Sequence, residues 1–389
     1  MAPFELLRRC PAITVGIAAL VVYATIALWL GVQTGADTGR YLTAAEQPFG
    51  PWEGKAASYA GYVMVVALVE RTLGLAGLIA LQVVVAAVAV LAVFDLARQL
   101  LGTIAGAVAG LLMAVNLEAA AWHSYVLTDS LYLSLVAITV WTVHLAAERA
   151  TLGTCVGAVV VTLFAASLRP TGWILVPIVA LYLVWRQPWR RLTKVLTATV
   201  VLVGFITAMV SIPVFADGVD AEGPTRMLYE GRIQWAPEDA RIDMPPPSSD
   251  DDSLAAGVRY AIDHPVATTQ LVVARPLRSL VGVRPYYSTL HNAWLIAYLV
   301  PVYAFASVGA WVARCQPLTR LLLATAGAHL ALIAATFADD NGRFLQHLLP
   351  MLLVLAGVGF AALLDRVIRR DPHAAAGPTD GASPASAAP

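Results

Sequence analysis

The sequence predicts an all-α polytopic membrane protein with about ten transmembrane helices. Of its 389 residues, 59% are hydrophobic and only 13% are charged, and the mean hydropathy is +0.72. An average soluble domain carries about 25% charged residues. This composition excludes a soluble globular enzyme and a disordered protein. The balance of 25 basic and 25 acidic residues leaves no positive surplus for binding nucleic acid.

Apolar runs mark the membrane spans, because a bilayer core of about 30 Å takes roughly 20 apolar residues in a helix. Spans five and six are short and meet around Pro170. Residues 58–73 are also apolar, but they carry Glu70 and Arg71, so we predict a juxtamembrane helix there, interfacial or re-entrant. The ten predicted spans are residues 12–31, 75–97, 102–118, 130–147, 153–168, 171–185, 195–214, 292–312, 318–336 and 344–364.

Lys and Arg residues near the span ends predict the orientation. With the N-terminus inside, short inner segments hold Arg8, Arg9 and the basic clusters at 186–194 and 366–370, whereas the outer segments hold most of the acids. Counting 58–73 as an eleventh crossing would put most of these clusters outside. The first span is too long for the apolar region of a signal peptide, so we predict an uncleaved anchor. We expect a multi-pass protein of the cell membrane with both termini cytoplasmic.

Two outer loops, residues 32–74 and 215–290, are long enough to carry function. In the second loop, the acidic and Pro-rich stretch 237–253 predicts a solvated linker. Helices on the outer membrane surface are predicted after it, first from Ser253 to His264 and then through the apolar stretch 266–274.

The chain is expected to form one transmembrane domain followed by a tail. The domain covers residues 1–370 and includes juxtamembrane helices in the first and in a late outer loop. Residues 371–389 are rich in Ala, Pro, Gly and Ser, a composition that buries too little apolar surface to fold. We therefore predict a disordered cytoplasmic tail.

Two candidate carboxylates lie near the outer ends of predicted spans, where a charged side chain is energetically costly unless it has a function or a partner. Asp37 follows the first span, and in a helix Asp37, Tyr41 and Ala45 would share one face. Asp37 alone could equally be the N-cap of a loop helix. Asp129 stands at the start of the fourth span, where it could cap that helix, orient an acceptor or pair with an arginine.

These residues resemble the GT-C glycosyltransferase superfamily, polytopic enzymes that use lipid-phosphate-linked sugars. The chain is most similar to the bacterial protein-mannosyltransferase or aminoarabinose-transferase-like branch. It departs from the family's pattern at Thr38, since a second acid commonly follows the first. The matching positions keep the family's order along nearly the whole chain: Asp37 with Tyr41, Tyr59 ahead of an apolar stretch, Asp129, Arg169-Pro170, His291-Asn292 and Arg343.

The resemblance implies a GT-C-like bundle and inverting transfer of a sugar from a polyprenyl-phosphate donor to a cell-envelope acceptor. That acceptor would be a glycan, a lipid or a protein at the periplasmic or extracellular face. A carboxylate can take the proton of the acceptor hydroxyl, so we expect Asp37 to be the general base, with Asp129 as a second catalytic residue. The donor phosphate needs positive charge, and arginine binds its oxygens bidentately. The candidate phosphate-binding residues are Arg169, Arg275, Arg278, Arg343 and Lys55.

Four further residues are candidates for contact with the sugar or the acceptor: Tyr41, Tyr59, His123 and His291. Alternatives remain for several candidates, since Arg275 and Arg278 could reach lipid head groups, Arg284 could be solvated and His291 could pack in the interface. The outer acids and histidines have no fixed metal-ligand spacing, so we expect no cofactor and no divalent metal.

Two other classes of function compete with glycosyl transfer. A lipid or solute transporter or flippase usually carries ionisable residues or broken helices at mid-membrane. Here the span centres are almost free of charge, with His144 and His329 as the nearest exceptions. A membrane scaffold would not need Asp37 together with several outer arginines. The concentration of charge at one face favours interfacial chemistry.

Overall fold

The computed structural model describes residues 10–50, 54–211, 223–235, 240–247, 251–339 and 341–370, and at a few helix ends only their backbone. These residues form helices linked by isolated β-bridges, which confirms the predicted all-α class. Six helices are long and apolar enough to cross a membrane. Leu152–Leu168 and Pro170–Arg186 are apolar but shorter, so the number of ten spans stays a prediction. Arg8, Arg9 and the tail 371–389 lie outside the described residues.

We number the α-helices in chain order. Two 3-10 helices, Gly54–Tyr59 and Pro170–Ile174, complete the set. The α-helices are α1 Pro11–Leu30, α2 Thr38–Glu46, α3 Ala60–Ala114, α4 Leu117–Trp122, α5 Thr128–Arg149, α6 Leu152–Leu168, α7 Leu175–Arg186, α8 Arg191–Ser211, α9 Pro224–Tyr229, α10 Leu254–Asp263, α11 Pro265–Val281, α12 Thr289–Val312, α13 Pro317–Ala335 and α14 Arg343–Arg370.

Helix α3 contains three of the predicted segments, separated by two breaks. The backbone leaves the helical conformation at Gly74, with φ 68°, and again at Leu101 and Gly102, where Gly102 has φ 83°. Glycine adopts such positive φ values without a steric penalty. The breaks fall where the sequence predicts the boundaries between the juxtamembrane segment and the second and third spans.

The third predicted span is shorter than expected at its C-terminal end. Helix α3 ends at Ala114, and residues 117–118 begin the separate helix α4. The cause is local, because the Asn116 side chain accepts a hydrogen bond from Ala119 N and caps α4. Glu118 is therefore a first-turn residue of an outer-loop helix and not the end of a span.

Helix α14 packs against both α3 and α12, and these three helices form the centre of the bundle. At the crossing of α12 and α14, two glycines bring the backbones into contact. A Cβ atom added to Gly309 would meet the carbonyl oxygen of Leu355, and one added to Gly359 would meet the carbonyl oxygen of Phe305. Only residues without a side chain allow helices to approach this closely in a membrane.

The first outer loop is held against the segment that leads to Asp129. Gln33 pairs with this segment through Gln33 N to Ser124 O, at 2.9 Å, and Val126 N to Gln33 O, at 3.0 Å. The hydroxyl of Thr38 donates to Val126 O at 2.9 Å. Buried Gln82 of α3 donates to the carbonyls of residues 123 and 125. The two outer segments that carry the predicted carboxylates are thus joined by backbone and side-chain hydrogen bonds.

The segment predicted as the second outer loop contains two helices at the positions that the sequence predicts. The hydroxyl of Ser253 caps α10 by accepting from Ala256 N at 3.2 Å, and Pro265 starts α11 directly afterwards. Helix α10 exposes Leu254, Val258 and Ile262, which recur every fourth residue. This exposed apolar stripe is the pattern typical of a helix lying on a membrane surface.

We predict that Gly359→Val destabilises the bundle by about 1–3 kcal/mol, because the added side chain meets the backbone of α12. The measurement is the thermal unfolding midpoint of the purified protein in detergent. Gly327→Val in α13 is the matched control, since an added Cβ there meets no atom within 4 Å. Equal midpoints for the two variants would show that the close crossing does not matter.

Candidate active site

Asp129 is the centre of a buried group of charges. It lies in the first turn of α5, and only 3% of the residue is exposed. Its Oδ1 accepts a hydrogen bond from Arg169 Nη1 and lies 3.3 Å from His347 Nε2, while Arg343 Nη1 is 3.6 Å from Oδ2. We call these four residues the Asp129 cluster. A buried carboxylate has lost its hydration, so its charged form is stabilised only by such partners.

Three elements that are distant in sequence form the Asp129 cluster. Arg169 lies in extended backbone between α6 and the following 3-10 helix, and Arg343 and His347 are one turn apart at the start of α14. The arginine partner that the sequence left open for Asp129 is present, whereas the N-cap of α5 is Leu127. His347 is not among the predicted site residues, although its spacing from Arg343 places both on one helix face.

Arg169 keeps hydrogen-bonding capacity in this cluster. Its Nε is buried and has no hydrogen-bond partner among the described residues. The guanidinium carbon lies 5.5 Å from the ring centre of Phe344 and 5.9 Å from that of Tyr132, so two aromatic rings hold it in place. A buried donor without a partner is expected where an anionic ligand completes the site.

Arg343 is the most accessible member of the cluster, with 22% of its side chain exposed against 8% for Arg169. Its guanidinium carbon lies 5.7 Å from the ring centre of Trp122. A cavity of about 20 Å³ beside His347 has room for one water molecule. Arg343 is thus the member of the cluster that a ligand arriving from outside could reach first.

The two predicted tyrosines of the first outer loop lie near both Asp37 and the Asp129 cluster. The Asp37 side chain is 36% exposed and its Oδ1 accepts from Arg40 Nη1 at 3.0 Å. Tyr41 is buried, with its ring 5.5 Å from that of Tyr59. Burial raises the pKa of both tyrosines, and the charges of Asp37, Arg169 and Asp129 also act on each of them. The first outer loop thus reaches the Asp129 cluster.

His123 is placed differently from the prediction of a sugar contact. It is fully buried, packs on Tyr23 with ring centres 4.9 Å apart, and its Nδ1 lies 2.7 Å from Ser130 Oγ. Burial lowers the pKa of His123 to about 3, so the imidazole is neutral at physiological pH. A side chain enclosed in this way supports α5 and cannot touch a sugar without local opening.

Arg275 and Arg278 both donate hydrogen bonds to other groups of the protein. Arg275 is 1% exposed, and its three nitrogens donate to the carbonyls of Arg232, Ala334 and Met227 at 3.0–3.2 Å. Arg278 Nε donates to Gln234 Oε1 at 2.7 Å. These contacts favour a structural role for Arg275 over a role with phosphate or lipid head groups, while Arg278 stays partly exposed.

Arg284 is buried and not solvated as expected. It is 0% exposed and donates to the carbonyls of Arg278, Val283 and Asp339. Lys55 lies in the first 3-10 helix, and its side chain is outside the described residues. Of the five predicted phosphate-binding residues, the structure therefore brings Arg169 and Arg343 together.

His291 belongs to a second polar cluster, formed with Glu118 and Tyr287. Its Nε2 is hydrogen-bonded to Glu118 Oε1, and its ring stacks on Tyr287 with centres 4.1 Å apart. Burial raises the pKa of Glu118, while the bond to His291 acts in the opposite direction. Among the described residues, no group of three or more His, Cys, Asp or Glu side chains is placed to hold a metal ion.

Residues 63–215 match the family model described as dolichyl-phosphate-mannose-protein mannosyltransferase. This range includes α5, Asp129 and Arg169. Among curated proteins, none matches the sequence.

The fold is similar to that of the oligosaccharyltransferase AglB from Archaeoglobus fulgidus. The structure of that protein with an inhibitory peptide and a dolichol-phosphate has a TM-score of 0.54 and 14% identity, covering 95% of this chain and 52% of the other. The apo form has a TM-score of 0.54 and 15% identity, covering 93% of this chain and 52% of the other. The form tethered to an acceptor peptide has a TM-score of 0.51 and 14% identity, covering 93% of this chain and 51% of the other. The chain thus spans about half the length of these proteins.

The family-model match covers the residues that carry half of the Asp129 cluster, and the fold comparison covers nearly the whole chain. The first finding rests on sequence and the second on architecture. They agree with the resemblance seen in the sequence: residues 63–215 match the family model, and the chain has a GT-C-like fold.

Proposed function

We propose that the chain transfers a sugar from a polyprenyl-phosphate-linked donor to a cell-envelope acceptor, with inversion at the anomeric carbon. The observation that carries this proposal is the Asp129 cluster, in which two arginines share one carboxylate. The arginines exceed the carboxylate by one positive charge, and Arg169 Nε still lacks a partner among the described residues. A lipid phosphate would supply both the missing negative charge and the missing acceptor atoms.

The donor class is supported from two sides. The matching family model is named after dolichyl-phosphate-mannose, and one similar structure was solved with a dolichol-phosphate. Mannose linked to a polyprenyl phosphate is therefore the first donor to test. The leaving phosphate needs no proton from an acid if positive charge stabilises it as it departs. Arg169 and Arg343 would provide that charge, and Asp129 would hold their guanidinium groups in position.

Asp37 is proposed as the general base. The acceptor oxygen attacks the anomeric carbon, its proton passes to the Asp37 carboxylate, and the bond to phosphate breaks with its electron pair retained by the phosphate oxygen. Two features support this role. Asp37 is a partly exposed carboxylate near Tyr41 and Tyr59, which in turn lie near the Asp129 cluster, and within the described part of the chain only its Oδ1 is bound, to Arg40.

The reaction is proposed to occur at the periplasmic or extracellular face, with both termini cytoplasmic. The positive-inside distribution of Lys and Arg supports this orientation. The decisive test incubates the purified protein with a panel of polyprenyl-phosphate sugars and candidate acceptors and analyses the products by mass spectrometry. A complete lack of transfer from every donor would reject the proposal.

We predict that Asp37→Asn lowers the rate of sugar transfer by about 10²–10⁴-fold, because the amide cannot take the acceptor proton. Folding and membrane insertion should be unchanged, since the side chain is partly exposed and bound to one residue. The check is kcat with a saturating donor, with Asp263→Asn at the exposed end of α10 as the control. Full activity of the Asp37 variant would assign the base elsewhere.

We predict that Arg343→Ala raises the KM for the lipid donor by about tenfold or more, since a charge-assisted hydrogen bond to the phosphate is lost. Saturation curves with varied donor measure this effect. Arg259→Ala removes an exposed arginine from α10 and serves as the control. An unchanged donor KM in the Arg343 variant would exclude it from the phosphate site.

A further inference from the structure

The cluster of Glu118, Tyr287 and His291 is unlike the Asp129 cluster because part of it is open. The His291 side chain is 36% exposed and that of Glu118 is 13% exposed. The rings of Tyr287 and His291 are nearly parallel, with an interplanar angle of 5°. The bond from His291 to Glu118 fixes the imidazole in this stack. Tyr286 lies edge-on to Tyr287 at 5.2 Å and is 50% exposed, which extends the aromatic surface.

This cluster borders the Asp129 cluster through helix α4. Glu118 and Trp122 are one helical turn apart on α4, so their Cβ atoms are roughly 5–6 Å from each other. Trp122 lies under the guanidinium of Arg343. A molecule resting against Glu118 and His291 would therefore lie next to the arginine that we propose binds the donor phosphate.

We propose that Glu118, Tyr287 and His291 form the acceptor subsite and that the acceptor is a carbohydrate. This rests on the proposed glycosyl transfer and deepens it by naming the acceptor class. Carbon-bound hydrogens on one face of a sugar ring pack against flat aromatic rings, and the adjacent hydroxyls donate to a carboxylate. The stacked pair offers the flat surface, and Glu118 offers the acceptor atoms at its edge.

A peptide acceptor fits this cluster less well. Extended peptides are commonly held through their backbone at the edge of a sheet. Within the described residues, the β-pairing consists of isolated bridges at Gln33, Arg232 and Gln234, and the cluster contributes to none of them. The groups that the cluster presents are side-chain rings and one carboxylate, which are suited to hydroxyl-rich rings.

The first experiment measures binding without requiring transfer. Saturation-transfer NMR is recorded on the full chain in nanodiscs with a panel of methyl glycosides of hexoses and pentoses. We expect at least one glycoside to bind, and Tyr287→Ala to reduce its signal about threefold or more. Tyr287→Phe keeps the ring and should retain the signal. If no glycoside binds in a manner that depends on Tyr287, the subsite is rejected.

Two matched variants control for general damage to the outer loops. His264 also packs on a tyrosine, Tyr260, with ring centres 4.6 Å apart, so His264→Ala is compared with His291→Ala. Glu230 is an outer-loop acid paired with arginines, so Glu230→Gln is compared with Glu118→Gln. The control variants should bind glycosides as the unaltered protein does. Equal losses in a test variant and its control would overturn the assignment.

The second experiment uses transfer itself. With polyprenyl-phosphate mannose as donor, Glu118→Gln should raise the acceptor KM about tenfold and leave the donor KM unchanged. A change in donor KM alone, or a preference for peptide over glycan acceptors, would contradict the carbohydrate subsite. If the unaltered protein transfers no sugar from any donor, the proposed function fails, while the binding experiment still decides whether the glycoside site exists.

Discussion

The ion cluster around Asp129 is the interaction on which the loop-bearing half of the molecule depends. It joins α5, the link between α6 and α7, and the start of α14, so three parts of the bundle meet at one carboxylate. Removing one partner from a buried ion pair costs about 3–5 kcal/mol, because the remaining charge is left uncompensated. The same property suits a binding site, since two arginines around one carboxylate leave positive charge for an anionic ligand.

Much of the fold could be predicted from the sequence, because apolar runs about 20 residues long have few alternatives to crossing a membrane. Charges at the ends of such runs are rare, which drew attention to Asp129, whereas the resemblance to the GT-C superfamily pointed to Arg169 and Arg343. The hydropathy pattern could not show what each arginine contacts. Arg275 donates to carbonyls from segments about 40–60 positions away, a distance that no local pattern encodes. The pairing of Glu118 with His291 could not be predicted either, because the two residues are 173 positions apart in the sequence.

Thr38 gives a physical account of the point where the chain departs from the GT-C pattern. The family commonly has a second acid at this position, but here the residue is buried and its hydroxyl donates to Val126 O while accepting from Gly35 N. A carboxylate could not donate that bond, and its charge would be buried. Threonine at this position therefore lacks the charge of an acid, but it forms a hydrogen bond that links the first loop to the segment before Asp129.

The two helices that cross at Gly309 and Gly359 also carry residues of the two polar clusters. Helix α12 carries His291 at its start, α14 carries Arg343 and His347 at its start, and both clusters lie about 25 Å from the crossing at 1.5 Å per residue. A change of about 5° in the crossing angle therefore alters the separation of the two clusters by about 2 Å. Residues at the crossing, which touch neither cluster, would thus influence the distance between the proposed donor and acceptor sites.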